Sequence, residues 1–162
     1  MPELKATAPG PNEAAAARFG EGAREPTTFT EPGDLPDEVR PHADPLWHDD
    51  YATTKAEAQR TQRPMLVLFA ADWCVPCRLL EADTLSDPRV RERLAAQLVA
   101  LRIDVTEETQ ANREQQARFR VRGLPTLLFL DPDGQPLDRL EGYISSSAFL
   151  ARIEGLSKRF AD

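Results

Sequence analysis

The sequence predicts an α/β fold in which a central mixed sheet of about four strands is flanked by helices. Short, continuous apolar runs recur along the chain, which is typical of strands buried on both faces of a sheet. Polar segments rich in helix formers separate these runs, and the last run is followed by a turn sequence and a further extended segment. The order strand, helix, strand, helix, strand, hairpin and helix is that of a three-layer sandwich with an antiparallel edge.

Residues 1–45 differ from the rest of the chain in composition. They contain eight of the 14 prolines and nine acidic residues against four basic ones, with few large apolar side chains. Such a segment buries too little apolar surface to offset the entropy lost on ordering. We therefore interpret residues 1–45 as a disordered, acidic, Pro-rich leader, which is either a tether or a solvated tail, and residues 46–162 as the folded domain.

The first half of this domain begins with a helix and a buried strand. Residues 49–62 are rich in helix formers, carry acidic residues at their start and meet no helix breaker before Pro64. The run "MLVLFA" at 65–70 is apolar throughout and predicts a strand covered on both faces. Helical patterns follow at 77–85 and at 86–98.

The second half of the domain adds the remaining strands of the sheet. "VALRID" at 99–104 predicts the second strand, and the polar segment 109–121 predicts a helix. "TLLFL" at 126–130 predicts a third buried strand. The turn sequence "DPDG" at 131–134 suits a tight reversal, so residues 135–143 are expected to return as a fourth, antiparallel strand.

Capping signals mark the starts of two of the helices. Asp87 is suited to an N-cap and Pro88 to the first helical position that follows it. Ser145 or Ser146 is expected to cap the last helix. The spacing of the apolar residues predicts that one face of that helix is apolar and comprises Phe149, Leu150, Ile153, Leu156 and Phe160.

Charge and hydropathy exclude several functional classes. The net charge of −7 and the pI near 4.9 are those of an acidic chain whose basic residues are scattered, which argues against nucleic acid or an anionic membrane as a partner. The longest apolar run, at 64–71, is far shorter than the roughly 20 residues that span a bilayer. The N-terminus has no signal-peptide pattern, so we expect a cytoplasmic location. A periplasmic or other extracytoplasmic location is the alternative if the chain is part of a longer one.

The only two cysteines of the chain lie in "ADWCVPCR" at 71–78, and three interpretations compete. As a brace, a disulfide across four residues contributes about 2 kcal/mol and joins parts that a helix already holds together. As a zinc site, the pair needs two more ligands, and only His42 and His48 are available, without paired spacing. We therefore favour a redox pair and expect no bound metal.

A redox interpretation uses every feature of this stretch. Residues three apart in the first turn of a helix lie side by side, so Cys74 and Cys77 can form a disulfide with little backbone movement. The positive potential of the helix N-terminus stabilises a thiolate, which makes Cys74 the expected nucleophile. Cys77, one turn deeper, is expected to resolve the mixed disulfide. Pro76 is tolerated because the first turn has no intrahelical hydrogen bond to lose.

The order of these motifs resembles the thioredoxin superfamily. "WCVPC" follows a buried strand, "GLPT" follows it in the chain, and a hairpin with "DPDG" and "GY" precedes the final helix. In particular, the chain is similar to the thioredoxin-like C-terminal domain of the thiol:disulfide interchange proteins, in which "ADWCV-C", "SDP-V" and "GLPT" occur in the same order. The resemblance covers roughly residues 48–160, which is nearly all of the predicted folded part.

The resemblance implies a substrate-binding surface around the cysteines. Trp73 matches the family's active-site tryptophan, and Pro125 matches the proline that is cis in this family. The backbone of Leu124 is then expected to face the cysteines and to pair with an extended substrate peptide. Val75 and Leu124 are expected to form an apolar rim, and Pro76 stiffens the turn between the cysteines.

One departure from the family concerns proton transfer. The family carries a buried aspartate six residues before the first cysteine, where this sequence has Leu68. Glu81 lies one helical turn after Cys77, and the interchange domains carry a glutamate at this position too. We interpret Glu81 as the substitute proton acceptor for Cys77, with a solvated glutamate on an exposed helix face as the alternative.

The function predicted from these observations is thiol:disulfide exchange, run mainly as the reduction of protein disulfides. We expect a monomer without an organic cofactor, because the chain lacks a Gly-rich dinucleotide fingerprint. The electrons must then come from another protein or from a small thiol. The alternative is a peptide-binding module or holdase with the same fold, in which redox turnover is incidental.

Overall fold

A computed structural model describes residues 44–160, so that residues 1–43, most of the predicted leader, lie outside the described residues. The described residues form a five-stranded sheet with the strand order β1-β3-β2-β4-β5. The strands are β1 (Trp47–His48), β2 (Met65–Ala70), β3 (Val99–Asp104), β4 (Thr126–Leu130) and β5 (Pro136–Glu141).

The sheet is mixed. β3 runs parallel to both β1 and β2, β4 runs antiparallel to β2, and β5 runs antiparallel to β4. The predicted antiparallel edge strand is thus present. The change from parallel to antiparallel pairing occurs one strand before the edge, between β2 and β4. The expectation of about four strands missed β1, which is only two residues long and pairs Trp47 with Ala100 and His48 with Leu101. Two residues are too few to show a strand period in the sequence.

Between residues 44 and 160, five α-helices and one π-helical segment accompany the sheet. The predicted cap at Asp87 is confirmed, since its side chain accepts a hydrogen bond from the backbone N–H of Arg89 at 2.9 Å. Asp50 and Thr109 cap two other helices in the same way. The helices are α1 (Tyr51–Thr61), α2 (Val75–Leu79), α3 (Pro88–Gln97), α4 (Gln110–Arg118) and α5 (Ser146–Phe160), and the π-helical segment Leu80–Leu85 directly continues α2.

Three helical predictions need correction. The single helix expected at 77–85 widens to a π-helix from Leu80 onwards. The helix expected at 109–121 ends at Arg118, because Arg120 adopts a left-handed backbone conformation with φ 54°. Phe160, expected on the buried face of α5, is 42% exposed, since it lies in the last turn beyond the sheet.

The core lies on both faces of β2 and β4, in which every residue is buried. On one face, Phe119 after α4 packs against Tyr51 of α1 and Phe69 of β2, with ring centroids 5.5 and 5.6 Å apart. The neighbouring residue Leu68 points to the opposite face, because side chains alternate along a strand. Helix α5 packs there against α3 and the π-helical segment, which completes the third layer. Among the described residues, no helix has the length and apolar character needed to cross a membrane.

Candidate active site

The two cysteines lie where β2 ends and α2 begins. Cys74 is the N-cap of α2, and the chain reaches it from β2 through a turn in which its N–H donates to the carbonyl oxygen of Ala71 at 3.1 Å. The carbonyl oxygen of Cys74 accepts the first helical hydrogen bond from Arg78 at 3.1 Å. Pro76 occupies the first turn of the helix, where no backbone donor is lost. The site therefore lies at the carboxyl end of a central strand, where open α/β sheets commonly bind ligands.

Cys74 and Cys77 form a disulfide, with an S–S distance of 2.32 Å and a Cα–Cα distance of 5.3 Å. The backbone N–H of Cys77 donates a hydrogen bond to Sγ of Cys74 at 3.3 Å. A donor of this kind at a helix N-terminus stabilises negative charge on the sulfur when the pair is reduced. Cys74 is 5% exposed and Cys77 only 1%, so the first sulfur is the more accessible of the two.

An exposed apolar surface surrounds the first cysteine. Trp73 and Val75, on either side of Cys74, are 65% and 63% exposed. Leu79 is also an exposed apolar residue. Sequence reasoning did not include Leu79 in the site, although its spacing of four residues from Val75 places both side chains on one helix face. Exposed apolar side chains of this size, close together, mark a surface that binds a partner.

The chain around Pro125 lies beside the end of β2, because Thr126 pairs with Phe69 in the sheet, and Pro125 itself is buried. The Leu124–Pro125 peptide bond is cis, as the resemblance implies. The carbonyl oxygen of Pro125 accepts a hydrogen bond from the N–H of Gly142 at 2.9 Å, which places the exposed Tyr143 next to this segment. Tyr143 was not predicted, because only the pairing of β4 with β5 brings it here.

A loop after β3 holds the residues that precede Cys74. Oγ1 of Thr106 accepts a hydrogen bond from the N–H of Asp72 at 2.9 Å, and the carbonyl oxygen of Thr106 accepts one from the indole Nε1 of Trp73 at 3.0 Å. The Thr106 hydroxyl itself donates to the carboxylate of Asp104. Sequence reasoning missed Thr106, because it is 32 residues away from Cys74 in the chain. We call this group of hydrogen bonds the Thr106 clamp.

Arg102 forms a second link to the same region. It lies opposite Leu68 in the sheet, and its side chain is only 11% exposed. Its Nε donates to Oε1 of Glu81 at 2.9 Å, and its Nη1 lies 3.2 Å from Oδ2 of Asp104. Its Nη2 lies 3.9 Å from Oδ1 of Asp72. Arg102 thus joins β3 to residues on both sides of the cysteine pair.

The electrostatic setting of Asp104 reflects these contacts. Burial acts to raise the pKa of the Asp104 carboxyl. The hydrogen bonds from Thr106 and the positive charge of Arg102 act in the opposite direction and together outweigh burial. The pKa of Asp104 therefore lies below its usual value. Asp104 therefore carries its negative charge at neutral pH.

The positions of possible metal ligands can be compared with the zinc interpretation of the cysteine pair. Between residues 44 and 160, no group of three or more His, Cys, Asp or Glu side chains is arranged to hold a metal ion. His48 lies in β1 and its Nε2 is 3.1 Å from a carboxylate oxygen of Glu57, whereas His42 lies outside the described residues.

Comparison with known proteins finds relatives among the thiol:disulfide interchange proteins. The thiol:disulfide interchange protein DsbD of Haemophilus ducreyi is 38% identical over 104 residues, which is 63% of this chain and 18% of that protein. DsbD 1 of Pseudomonas aeruginosa is 35% identical over 106 residues, again 18% of its length. The chain therefore spans less than a fifth of the curated relatives that it matches.

Solved structures agree over most of the described residues. A thioredoxin from Thermus thermophilus superposes with a TM-score of 0.61 and 31% identity, covering 68% of this chain and 85% of that one. The oxidised C-terminal domain of DsbD from Neisseria meningitidis superposes with a TM-score of 0.57 and 25% identity, covering 67% of this chain and 97% of that domain. The thioredoxin-like family itself matches residues 46–132, more than half of the sequence. The chain belongs to the thioredoxin-like family.

Proposed function

We propose that this protein reduces disulfide bonds of other proteins by thiol:disulfide exchange. The observation that carries the proposal is the bonded pair Cys74–Cys77 at the start of α2. One sulfur is capped by a helix N–H and the other is fully buried behind it. Membership of the thioredoxin-like family and similarity to thiol:disulfide interchange proteins support the same chemistry.

The reaction begins with the reduced pair. The Cys74 thiolate attacks one sulfur of the substrate disulfide, so that a mixed disulfide forms and the other substrate sulfur leaves as a thiolate. Cys77 then loses its proton and attacks Sγ of Cys74, which breaks the mixed disulfide and releases the second substrate thiol. The substrate gains two electrons and two protons, and the Cys74–Cys77 disulfide remains. An electron-donating protein or a small thiol must reduce it again.

We propose that Glu81 accepts the proton that Cys77 loses. Its carboxylate is held by Arg102, as described above, on the helix that carries the cysteines. Taking up a proton weakens this ion pair. Arg102 then retains Asp104 at 3.2 Å and Asp72 at 3.9 Å as negative neighbours, so its charge stays balanced when Glu81 becomes neutral.

We propose that the substrate binds across the apolar surface around Cys74. Trp73, Val75 and Pro76 lie on its helix side and are exposed. Leu124 and Pro125 lie on the other side, where the Leu124 backbone offers hydrogen bonds to an extended peptide. Burial of apolar side chains on this surface favours unfolded or extended protein segments over small disulfides.

The test compares the reduction of an insulin-type disulfide by the wild type and by Cys74→Ser, with dithiothreitol as the reductant. We expect the variant to show only the uncatalysed rate, because no sulfur is left to attack. We expect Cys77→Ser to accumulate a mixed disulfide with the substrate through Cys74. Equal rates for the wild type and Cys74→Ser would contradict the proposal.

The same variants distinguish the proposed reductase from a peptide-binding module or holdase. The exposed apolar surface around Cys74 is the observation that favours this second function. A holdase suppresses aggregation of an unfolded protein equally well with and without Cys74. The proposed reductase no longer suppresses the aggregation of disulfide-containing substrates when Cys74 is replaced. If Cys74→Ser suppressed this aggregation as well as the wild type does, the surface would serve binding alone.

The remaining proposals concern the domain bounds, the oligomeric state and the location of the protein. We propose that residues 46–162 form the thioredoxin-like domain and that residues 1–45 form a leader. We also propose a monomer that works in the cytoplasm, where the glutathione pool keeps thiols reduced. If the chain works outside the cytoplasm, the same pair would pass electrons from a membrane partner to extracytoplasmic proteins.

A further inference from the structure

A groove lined by four arginines lies on the sheet next to the candidate active site. It encloses about 820 Å³ between the end of α4 and the β4–β5 hairpin. Its floor includes the apolar residues Leu128, Leu130, Pro136 and Leu137. We define the arginine groove by its basic residues Arg118, Arg120, Arg122 and Arg139.

Within the part of the chain that the structure describes, three of these arginines have no carboxylate partner. Arg139 is occupied, because it donates to the backbone carbonyls of Phe119 and Arg120 and lies 3.2 Å from a carboxylate oxygen of Glu141. Arg118, Arg120 and Arg122 form no ion pair with any residue between 44 and 160.

The guanidinium of Arg118 is nevertheless held in place. It lies over the rings of Tyr51 and Phe119, with its Cζ atom 4.7 and 5.3 Å from the two ring centroids. The carbonyl oxygen of Arg120 accepts a hydrogen bond from Arg139 at 3.0 Å. This bond holds the backbone at Arg120, which lies between Arg118 and Arg122 in the chain. The groove therefore presents positive charge from a surface in which the Arg118 side chain and the Arg120 backbone are held in place.

The groove begins beside the residues proposed to bind substrate. Arg122 precedes Leu124 by two residues, and Glu141 at the other wall pairs in the sheet with Thr126, which follows Pro125. From there the groove continues along β4 and β5 away from the cysteines. β5 is also the last strand of the sheet, so this side of the groove is open. A peptide that reaches Cys74 across Pro125 can continue into the groove.

The local charge contrasts with that of the whole chain. The protein has a net charge of −7, and residues 44–160 carry 18 acidic and 16 basic residues, so the part of the chain that the structure describes has no overall excess of positive charge. The carboxylates in the groove lining, Asp138 and Glu141, are paired with Arg152 and Arg139. The three cations that have no carboxylate partner among residues 44–160 lie beside an apolar floor and attract an acidic segment to this place. The apolar floor suits a segment in which apolar residues alternate with acidic ones.

We propose that the arginine groove binds an acidic, extended segment of the protein that exchanges electrons with the cysteine pair. The identity of that partner as a redox partner rests on the proposed function, whereas the binding of an acidic segment does not. The groove then sets which proteins dock with their disulfide or dithiol at Cys74. Each ion pair at an exposed site contributes modestly, so three together give about a tenfold preference for acidic segments.

The test measures equilibrium binding of two labelled 12-residue peptides without cysteine. In one peptide leucine alternates with glutamate, and in the other leucine alternates with glutamine. The groove variant carries Arg118→Gln, Arg120→Gln and Arg122→Gln. The control variant has the same net charge and carries Arg60→Gln, Arg93→Gln and Arg159→Gln, at exposed positions without an ion pair among the described residues.

We expect the wild type and the control variant to bind the glutamate peptide about tenfold more tightly than the glutamine peptide in low salt. We expect the groove variant to lose this preference and a charge-preserving variant with three lysines to keep most of it. Thermal unfolding of each variant verifies that it is folded.

Three results would overturn the proposal. The first is a wild type that binds both peptides equally, and the second is a control variant that loses as much preference as the groove variant. The third is displacement of the labelled glutamate peptide by inorganic tripolyphosphate at a lower concentration than the unlabelled glutamate peptide requires, because the occupant would then be a small anion. Since no cysteine takes part in this measurement, its failure is distinct from a failure of the reductase assay.

Discussion

At the residue scale, two side chains hold the segments on either side of the cysteine pair. The Thr106 clamp holds the backbone of Asp72 and the indole of Trp73, directly before Cys74. Arg102 holds Glu81 on the far side of the cysteine pair. Both residues belong to β3 or to the loop after it, so a single strand positions the redox motif from both ends.

The clamp leads to a first prediction. Thr106→Val removes the hydroxyl that accepts from Asp72 and donates to Asp104. We expect the reduction of a protein disulfide to slow several-fold, and the free energy of unfolding to fall by about 0.5–1.5 kcal/mol, since hydrogen bonds at a partly exposed site are lost. Thr106→Ser keeps the hydroxyl and should recover the rate. A serine variant as slow as the valine variant would show that the hydroxyl does not position the site.

A second prediction concerns the proton that leaves Cys77. Glu81→Gln keeps the shape of the side chain but cannot accept this proton. We expect resolution of the mixed disulfide to slow roughly tenfold, while its formation through Cys74 changes little. Rapid-quench kinetics separate the two steps, and Glu92→Gln, on an exposed part of α3, is the matched control. Identical pH profiles for the wild type and Glu81→Gln would rule out this role.

At the element scale, the start of the domain is attached to α3 by an ion pair. Arg91 donates to both carboxylate oxygens of Asp44, at 2.5 and 3.0 Å. The hydrogen bond from Arg91 is the main reason why the pKa of Asp44 lies below its usual value. This pair fixes the chain just before β1, which itself contributes only two residues to the sheet.

A third prediction follows from the direction of this shift. A carboxyl whose pKa is lower in the folded state stabilises the fold above its unfolded pKa near 4, and this stability is lost as the pH falls through the folded value. We expect Arg91→Gln to lower the free energy of unfolding by about 0.5–1 kcal/mol at pH 7. The difference should shrink in acid. Urea unfolding at a series of pH values checks this, and a difference that is constant with pH would contradict it.

At the scale of the whole molecule, sequence and structure agree where local patterns determine the outcome. β2 and β4 begin and end where the apolar runs do, because a strand buried on both faces needs apolar residues throughout. β3 also has the predicted bounds, although it contains Arg102 and Asp104. The cysteine pair at a helix start was equally visible, since helix capping and spacing are local properties. Both predictions therefore required no knowledge of long-range contacts.

Leu79 was missed although its signal is local, whereas the contacts of Arg102, of Thr106 and of the arginine groove depend on long-range pairing. Arg102 reaches Glu81 only because β3 lies beside β2, in register with Leu68. Thr106 reaches Asp72 for the same reason. Arg120 and Arg122 join Arg139 in one groove only after the β4–β5 hairpin has formed. No period or motif in the sequence marks such contacts.

The central claim is that Cys74 is the sulfur that attacks, and selective alkylation tests it most directly. The fully reduced protein is treated with iodoacetamide at pH 7, quenched at intervals and digested, and the labelled fraction of each cysteine is measured by mass spectrometry. Because Cys74 lies at the helix N-terminus and Cys77 is buried behind it, we predict that Cys74 is labelled about tenfold faster or more. Equal rates, or faster labelling of Cys77, would contradict the account.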